Sequence, residues 1–196
     1  MVMDQSSKIE HPVSTLIEQR RSKRSFLDQP VEHEKISSLF EAARWAPSSM
    51  NEQPWSYLYA TKDQDELWNK LFDTLMEGNK VWVKDAPLLV LSLARKKFER
   101  NDRVNATAKY DLGGANAFLS LQATEMGLNV HQMGGFDAQK VRDDLNVPDH
   151  YEIGVIMAIG YPGNPDQLPE NLKQREEAPR RRKPQDDFVM NEAFNG

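Results

Sequence analysis

Two runs of cations stand near opposite ends of the chain, Arg20-Arg21-Ser22-Lys23-Arg24 and Arg180-Arg181-Arg182-Lys183. A guanidinium is a planar fork that meets phosphate oxygens two at a time, and Ser22 adds a neutral donor, so the first run could grip a phosphate. The same run also reads as the solvated basic end of a helix, where cations favour the macrodipole. In the second run, Glu176, Glu177, Asp186 and Asp187 stand close on either side. They dilute its field, which favours a local anion grip over a long polyanion groove. From opposite ends of the chain, the two runs could converge on one phosphate.

Two further stretches complete the inventory. Ala46-Pro47-Ser48-Ser49-Met50-Asn51-Glu52-Gln53-Pro54-Trp55 offers hydroxyls and amides suited to the heteroatom edge of a planar heterocycle, or else forms a ligand-free turn. His131-Gln132-Met133-Gly134-Gly135-Phe136-Asp137 runs into a Gly-Gly turn, where bare backbone lets a ring approach N–H groups or simply allows a tight strand-to-helix turn. Other chemistries find no support. Neither G-x-G-x-x-G nor G-x-x-x-x-G-K-[ST] occurs. Ser48-Ser49 lies outside any G-x-S-x-G elbow. His11, His33, His131 and His150 have no metal-ligand spacing, so no metal is expected. With no cysteine there is no thiol nucleophile, thiolate metal site or disulfide frame.

These stretches need elements to position them. Thr15 and Glu18 fit a capping box, predicting a short helix through Ile17 to about Arg21. Ile36, Leu39, Phe40 and Ala43 share one helical face, and Pro47 ends that helix. Strands are expected at 55–60, 88–93, 128–133 and 153–159. Leu67 to Leu75 has helical spacing. Tyr110 to Met126 reads as a long helix rich in small residues, suited to a central core or to packing on a dimer mate, with Gly127 at its end. Asp137 caps a short helix to Leu145. Beyond Gly160 the chain turns polar, yet Phe188, Val189 and Phe194 stand in its tail as though to dock on something. Helices and strands are interspersed, so the class mixes α and β.

The 196 residues suit one domain: a loose 1–12, a folded 13–184 and a tail at 185–196. A net charge of −5 gives no general attraction to nucleic acid or acidic membranes. Ala86 to Ala94 is too short to span a bilayer. With no apolar core in the first residues, a secretory signal is not expected, and the cytoplasm is the expected location.

In order along the chain, RRSKRSF (20–26), APSSMNEQPW (46–55), GNKVWVKDAP (78–87), VHQMGGFD (130–137) and RRRKP (180–184) resemble the FMN-dependent nitroreductase family. The similarity covers about residues 13–190, and P-S-S-x-N-x-Q-P-W is its most specific string. The resemblance implies an α+β fold, with a mixed central sheet flanked by helices. It also implies a homodimer with FMN at the interface and a C-terminal extension wrapped over the partner. Arg20 and Ser22, with Arg180 and Arg182, would hold the FMN phosphate, with Arg21 in the same loop. Arg24 and Asn79 would face the pyrimidine edge of the flavin. Backbone N–H groups of Gly134 and Gly135 would point at flavin N5 and O4, with Gln132 and Met133 lining the ring. Pro47, Ser48, Ser49 and Asn51 would come from the other subunit.

Two positions depart from some members: Trp82 stands where they carry Lys, and Gly134 where they carry Glu. Both leave nicotinamide preference and substrate range open. The implied activity is hydride transfer from NAD(P)H through FMN to nitroaromatics, quinones or similar flat small-molecule acceptors, in ping-pong order. A cation beside flavin N1 and O2 would raise its reduction potential. The same fold also serves flavin or enone reduction and dehalogenation. A reading of another class is a non-catalytic module binding a phosphorylated ligand or RNA, against which the acidic balance counts.

Overall fold

The computed structural model describes residues 9–193. Four strands, β1 (Trp55–Thr61), β2 (Leu88–Arg95), β3 (Asn129–Met133) and β4 (Tyr151–Gly160), form one sheet in the order β1-β2-β4-β3. The expected mixed sheet is corrected here, because every pairing among these strands is antiparallel. The connections dictate this. The chain leaves β1 at Thr61, makes α3 (Asp65–Asp73) and α4 (Glu77–Val83), and re-enters at Leu88, which pairs with Thr61. A parallel neighbour would need a crossover back to the opposite end.

Seven helices flank the sheet within the described residues, so the class is α+β. β2 is buried on both faces, which is why its sequence reads as a continuous apolar run rather than an alternating one. Its residues still alternate in direction. Leu89, Leu91 and Leu93 pack with Trp68, Leu71 and Trp82 from α3 and α4. Leu88 and Val90 pack with Ile36, Leu39 and Ala43 of α2 (His33–Arg44) and with Ala115, Leu119 and Ala123 of α5 (Ala108–Glu125). α5 therefore lies on the sheet by one side only. Its other side leaves Tyr110 84% and Phe118 41% exposed. Gly127, with φ of +74°, supplies the left-handed residue that ends this helix.

Most predicted elements stand within a few residues of their expected bounds. The capping box does not. Ser14 occupies the N-cap of α1 (Thr15–Gln19) and no side chain caps it. Thr15 is already inside the helix, one position too late to cap. Asp137 does cap α6 (Ala138–Asp144), accepting from the N–H groups of Gln139 (2.9 Å) and Lys140 (3.0 Å). Two helices have no sequence-based expectation, α4 and α7 (Glu170–Glu177). α7 buries only Leu172 and Glu176, too sparse a pattern to read as a stripe. Residues 1–8 of the expected loose N-terminus, and Phe194, lie outside the described residues.

A bulge opposite Ser92 bends the sheet beneath α5. The Ser92 hydroxyl accepts from Val155 N–H (3.0 Å) and from Asn116 Nδ2 (3.3 Å), and donates to the Val155 carbonyl (3.0 Å), so the unpaired backbone is satisfied. Gly154 is required beside it. A Cβ there would stand 2.6 Å from Leu112 Cδ2 and 3.0 Å from the Ser92 carbonyl oxygen. Gly154→Ala should therefore destabilise the protein by about 1–3 kcal/mol through overpacking. Thermal denaturation should show a fall of roughly 2–4 °C for each kcal/mol, and an unchanged melting temperature would contradict this close packing.

Candidate functional site

The two basic runs meet. Arg180 Nη1 donates to the Arg20 carbonyl at 2.9 Å, and its Nη2 donates to the Glu18 carbonyl. In return Arg21 Nη2 donates to the carbonyls of Ala178 (2.8 Å) and Glu176 (3.2 Å). Each end of the chain thus clasps the other by arginine-to-carbonyl bonds. Arg20 Nη1 reaches the Ser22 hydroxyl at 3.3 Å. Burial lowers the Arg20 guanidinium below its usual value, and the nearby charges of Arg180 and Arg182 lower it further. Burial does the same to Arg180, with Arg182 and Arg21 adding to it. Like charges gathered this way create a local positive potential, which is what an anion site requires. Arg21 is turned toward the end of α7 rather than toward that gathering, and Arg182 is exposed, its Nη1 on the Arg181 carbonyl at 2.8 Å.

Arg24 lies beyond this group, with its guanidinium carbon 5.9 Å from the centroid of the buried Trp82 ring. His131 packs on the same ring at 4.6 Å. Its Nδ1 lies 3.0 Å from the Lys23 carbonyl, and a carbonyl only accepts, so Nδ1 carries the proton. Burial, and then the Arg24 charge, push the imidazole down to about 4, so it is neutral at ordinary pH. Glu176 is buried at the other side of the loop and accepts from the N–H groups of Arg24 and Ser25 and from the Ser25 hydroxyl.

Asn79 and the Gly-Gly turn stand together. Asn79 Nδ2 donates to the Gly135 carbonyl at 3.0 Å, and a Cβ on Gly135 would stand 2.8 Å from that nitrogen. Gly134 has nothing within 4 Å of where its Cβ would be, so its backbone borders open space. The Met133 side chain points the other way, 3% exposed within the core, so only its backbone can face a ligand. Gln132 Nε2 donates to Ser120 Oγ at 3.1 Å on α5.

The 46–55 segment is anchored elsewhere on that helix. Ser49 N–H donates to the buried Asp111 carboxylate (3.1 Å), and Gln53 N–H to Ser48 Oγ (2.9 Å). From Asp111 to Ser120 is a rise of about 14 Å along the axis. Met50, Asn51 and Gln53 all have φ between 52° and 56°, a left-handed backbone that costs non-glycine residues about 1–2 kcal/mol each. Pro47 and Asn51 are exposed, and Ser48 and Ser49 half-buried.

Sequence reading gives no role to Asp111 or the His131 ring, and takes Glu176 only as a charge diluting the second basic run. Glu176 had one signal: it stands four residues after Leu172, on the same face of its helix. Among the described residues, no His, Asp and Glu cluster could hold a metal ion, and no helix is long and apolar enough to cross a membrane.

The His131 geometry sets a pH dependence. Unfolded, this imidazole takes a proton near its ordinary value of 6.5; folded, it resists until about 4. The unfolded state therefore binds more protons between those values, and stability is lost as pH falls through that window. The full difference is about 3 kcal/mol, at about 1.36 kcal/mol per pKa unit. Urea denaturation of wild type and His131→Gln at pH 7 and pH 4 should show a smaller acid loss in the variant. Equal losses would contradict the buried neutral imidazole.

The sequence model of the nitroreductase family matches residues 17–161. Protein DrgA of Synechocystis is 32% identical over 176 residues, covering 74% of this chain and 81% of its own. A Ralstonia nicotianae protein, provisionally named NADH dehydrogenase/NAD(P)H nitroreductase, is 24% identical over 168 residues, covering 74% and 83%. A crystal structure of an oxidoreductase containing FMN superposes with a TM-score of 0.91 at 33% identity, each chain covered in full. The match spans β1 to β4 and the N-terminal half of the clasp, and the chain belongs to the nitroreductase family.

Proposed function

We propose that the protein binds FMN and works as an NAD(P)H-dependent oxidoreductase, reducing nitroaromatics, quinones or similar flat acceptors. The observation that carries this is the clasp. Cations from both chain ends gather at Arg20, and open glycine backbone stands at Gly134. The donor set fits the cofactor: guanidinium groups and Ser22 suit a phosphate, the Asn79 amide suits a pyrimidine edge, and bare N–H groups suit a ring nitrogen and carbonyl. FMN in the structurally similar oxidoreductase and NAD(P)H in the name of the Ralstonia relative support the same reading. A bound flavin would supply hydride chemistry at N5, taking hydride from the nicotinamide and passing it to the acceptor in turn. The chain's own part is to bind and orient. Arg20, Ser22, Arg180 and Arg182 hold the phosphate, Arg24 brings a positive charge to the ring side, and Asn79 fixes the Gly-Gly turn. Trp82, buried under Arg24, offers a packing surface where some members offer a lysine.

We also propose a cytoplasmic homodimer. The Ser49 anchor at Asp111 lies about 14 Å along α5 from the Gln132 anchor at Ser120, so a second chain is the natural source of that half of each pocket. The outer side of α5 fits such contact, with Tyr110 and Phe118 exposed beside small Gly113 and Ala117. Trp45, Met50 and Val104 are also exposed, at 66–73%. In the tail, Phe188 and Val189 are exposed and available to wrap the partner.

FMN added to the purified protein should survive gel filtration as a yellow complex whose absorbance bleaches with NADH or NADPH and returns with an acceptor. Arg20→Ala should weaken FMN binding by about ten- to hundredfold, the loss of a charge-assisted contact worth about 1.5–3 kcal/mol. Lys23→Ala should stay near wild type, and equal dissociation constants for the two variants would contradict the phosphate assignment.

Light scattering should give a mass of about twice 22.5 kDa. Truncation after Lys183 keeps every phosphate arginine and should lower both dimer stability and FMN retention. An intact, fully flavinated dimer would refute the tail's role, and a flavinated wild-type monomer the shared site.

A further inference from the structure

We propose that Glu176 is a positioning residue for the cofactor-facing loop: its carboxylate is an internal anion around which residues 24–25 fold, and it acts on bound flavin through Arg24. The inference rests on the FMN reading above and adds a residue to it. Glu176 is only 4% exposed, an expensive place for a carboxylate unless its oxygens are satisfied. They are satisfied by the loop. The Arg24 N–H donates to one oxygen, the Ser25 N–H lies 3.3 Å from both, and the Ser25 hydroxyl donates to the other. Successive backbone N–H groups aimed at one anion form a nest. Here the anion belongs to the chain itself and is delivered by α7.

The rest of the neighbourhood keeps this anion in place. Leu172, on the same face of α7, packs in the core, and Arg21 holds the carbonyls of Glu176 and Ala178. On the opposite side, the His131 imidazole donates to the Lys23 carbonyl. Three consecutive residues, Lys23, Arg24 and Ser25, are therefore fixed through their backbones from two separate elements. Arg24 has little freedom left except along its side chain, which lies over Trp82. Glu176 also attracts the Arg24 guanidinium electrostatically, offsetting part of the effect of its burial. The carboxylate oxygens are already taken by the loop's own donors, so Glu176 attracts the guanidinium without being used up by it.

The test is a double-mutant cycle on FMN affinity, read by quenching of flavin fluorescence. Glu176→Gln keeps the shape and removes the charge and part of the acceptor set, so FMN should bind about tenfold more weakly. If the effect runs through Arg24, Glu176→Gln in an Arg24→Gln background should change the affinity by less than about twofold. A residue that merely stabilises the fold would weaken binding equally in both backgrounds. Ser25→Ala removes one donor and leaves the charge. It should give a smaller loss that also vanishes beside Arg24→Gln, and it carries the test should Glu176→Gln not fold. Wild-type affinity in Glu176→Gln, or in Ser25→Ala used in its place, overturns the assignment, as do additive losses. Failure of the wild type to take up FMN instead overturns the flavin reading itself.

Discussion

The site depends on gathering like charges without neutralising them. Arg20, Arg180 and Arg182 repel one another, and ordinary ion pairs would hold them together only by cancelling the potential that makes them useful. The chain uses carbonyl oxygens instead. Arg180 takes those of Glu18 and Arg20, and Arg21 takes those of Glu176 and Ala178. A carbonyl dipole satisfies a guanidinium N–H but contributes no net charge, so the cluster stays positive. The bonds are also reciprocal, each chain end supplying arginine to the other's backbone. Closing a loop of this length costs little more than closing one half as long, so joining distant ends is affordable in entropy.

Everything else supplies a rigid frame for that clasp. β2, buried on both faces, fixes β4, and β4 fixes β3, whose end carries the Gly-Gly turn to α4. Trp82 stands at the junction. It packs against Phe26 at 6.3 Å and His131 at 4.6 Å, and Arg24 rests above it. A cation over an indole face is worth roughly 0.5–2 kcal/mol, more as water is removed. The ring thus offers a surface on which the Arg24 charge can rest.

Much of this was legible in the sequence where the signal was local and periodic. The β2 run, the α2 face and the Asp137 cap each follow from spacing within a dozen residues. The α5 small-residue pattern gave the helix but left open whether it served the core or a second chain. What spacing could not give was convergence. Arg20 and Arg180 are joined only by the path of the whole fold, and the sequence left their meeting open. α7 was missed because a helix with two buried positions has no stripe to read, and one of those positions is a glutamate. A capping box was expected at Thr15 because the residue types matched, although the chain starts its helix one residue earlier. Pairing sense went astray for a different reason: strand patterns report burial, whereas direction is set by where each connection returns.

The neutral state of His131 follows from burial and from the same crowding of like charges. A proton on Nε2 would add another cation beside Arg24, inside a region already crowded with positive charge. Burial opposes that proton first and the Arg24 charge second, while the Lys23 carbonyl fixes the tautomer through Nδ1. The imidazole therefore serves as a flat, hydrogen-bonding spacer between Trp82 and the loop backbone. A lysine or arginine there would add to the repulsion, and an aliphatic residue would leave the Lys23 carbonyl without this donor. Charge on this side of the protein is thus arranged by position: the cations gather at the clasp, the Glu176 carboxylate stands behind the loop, and the aromatic layer between them stays neutral.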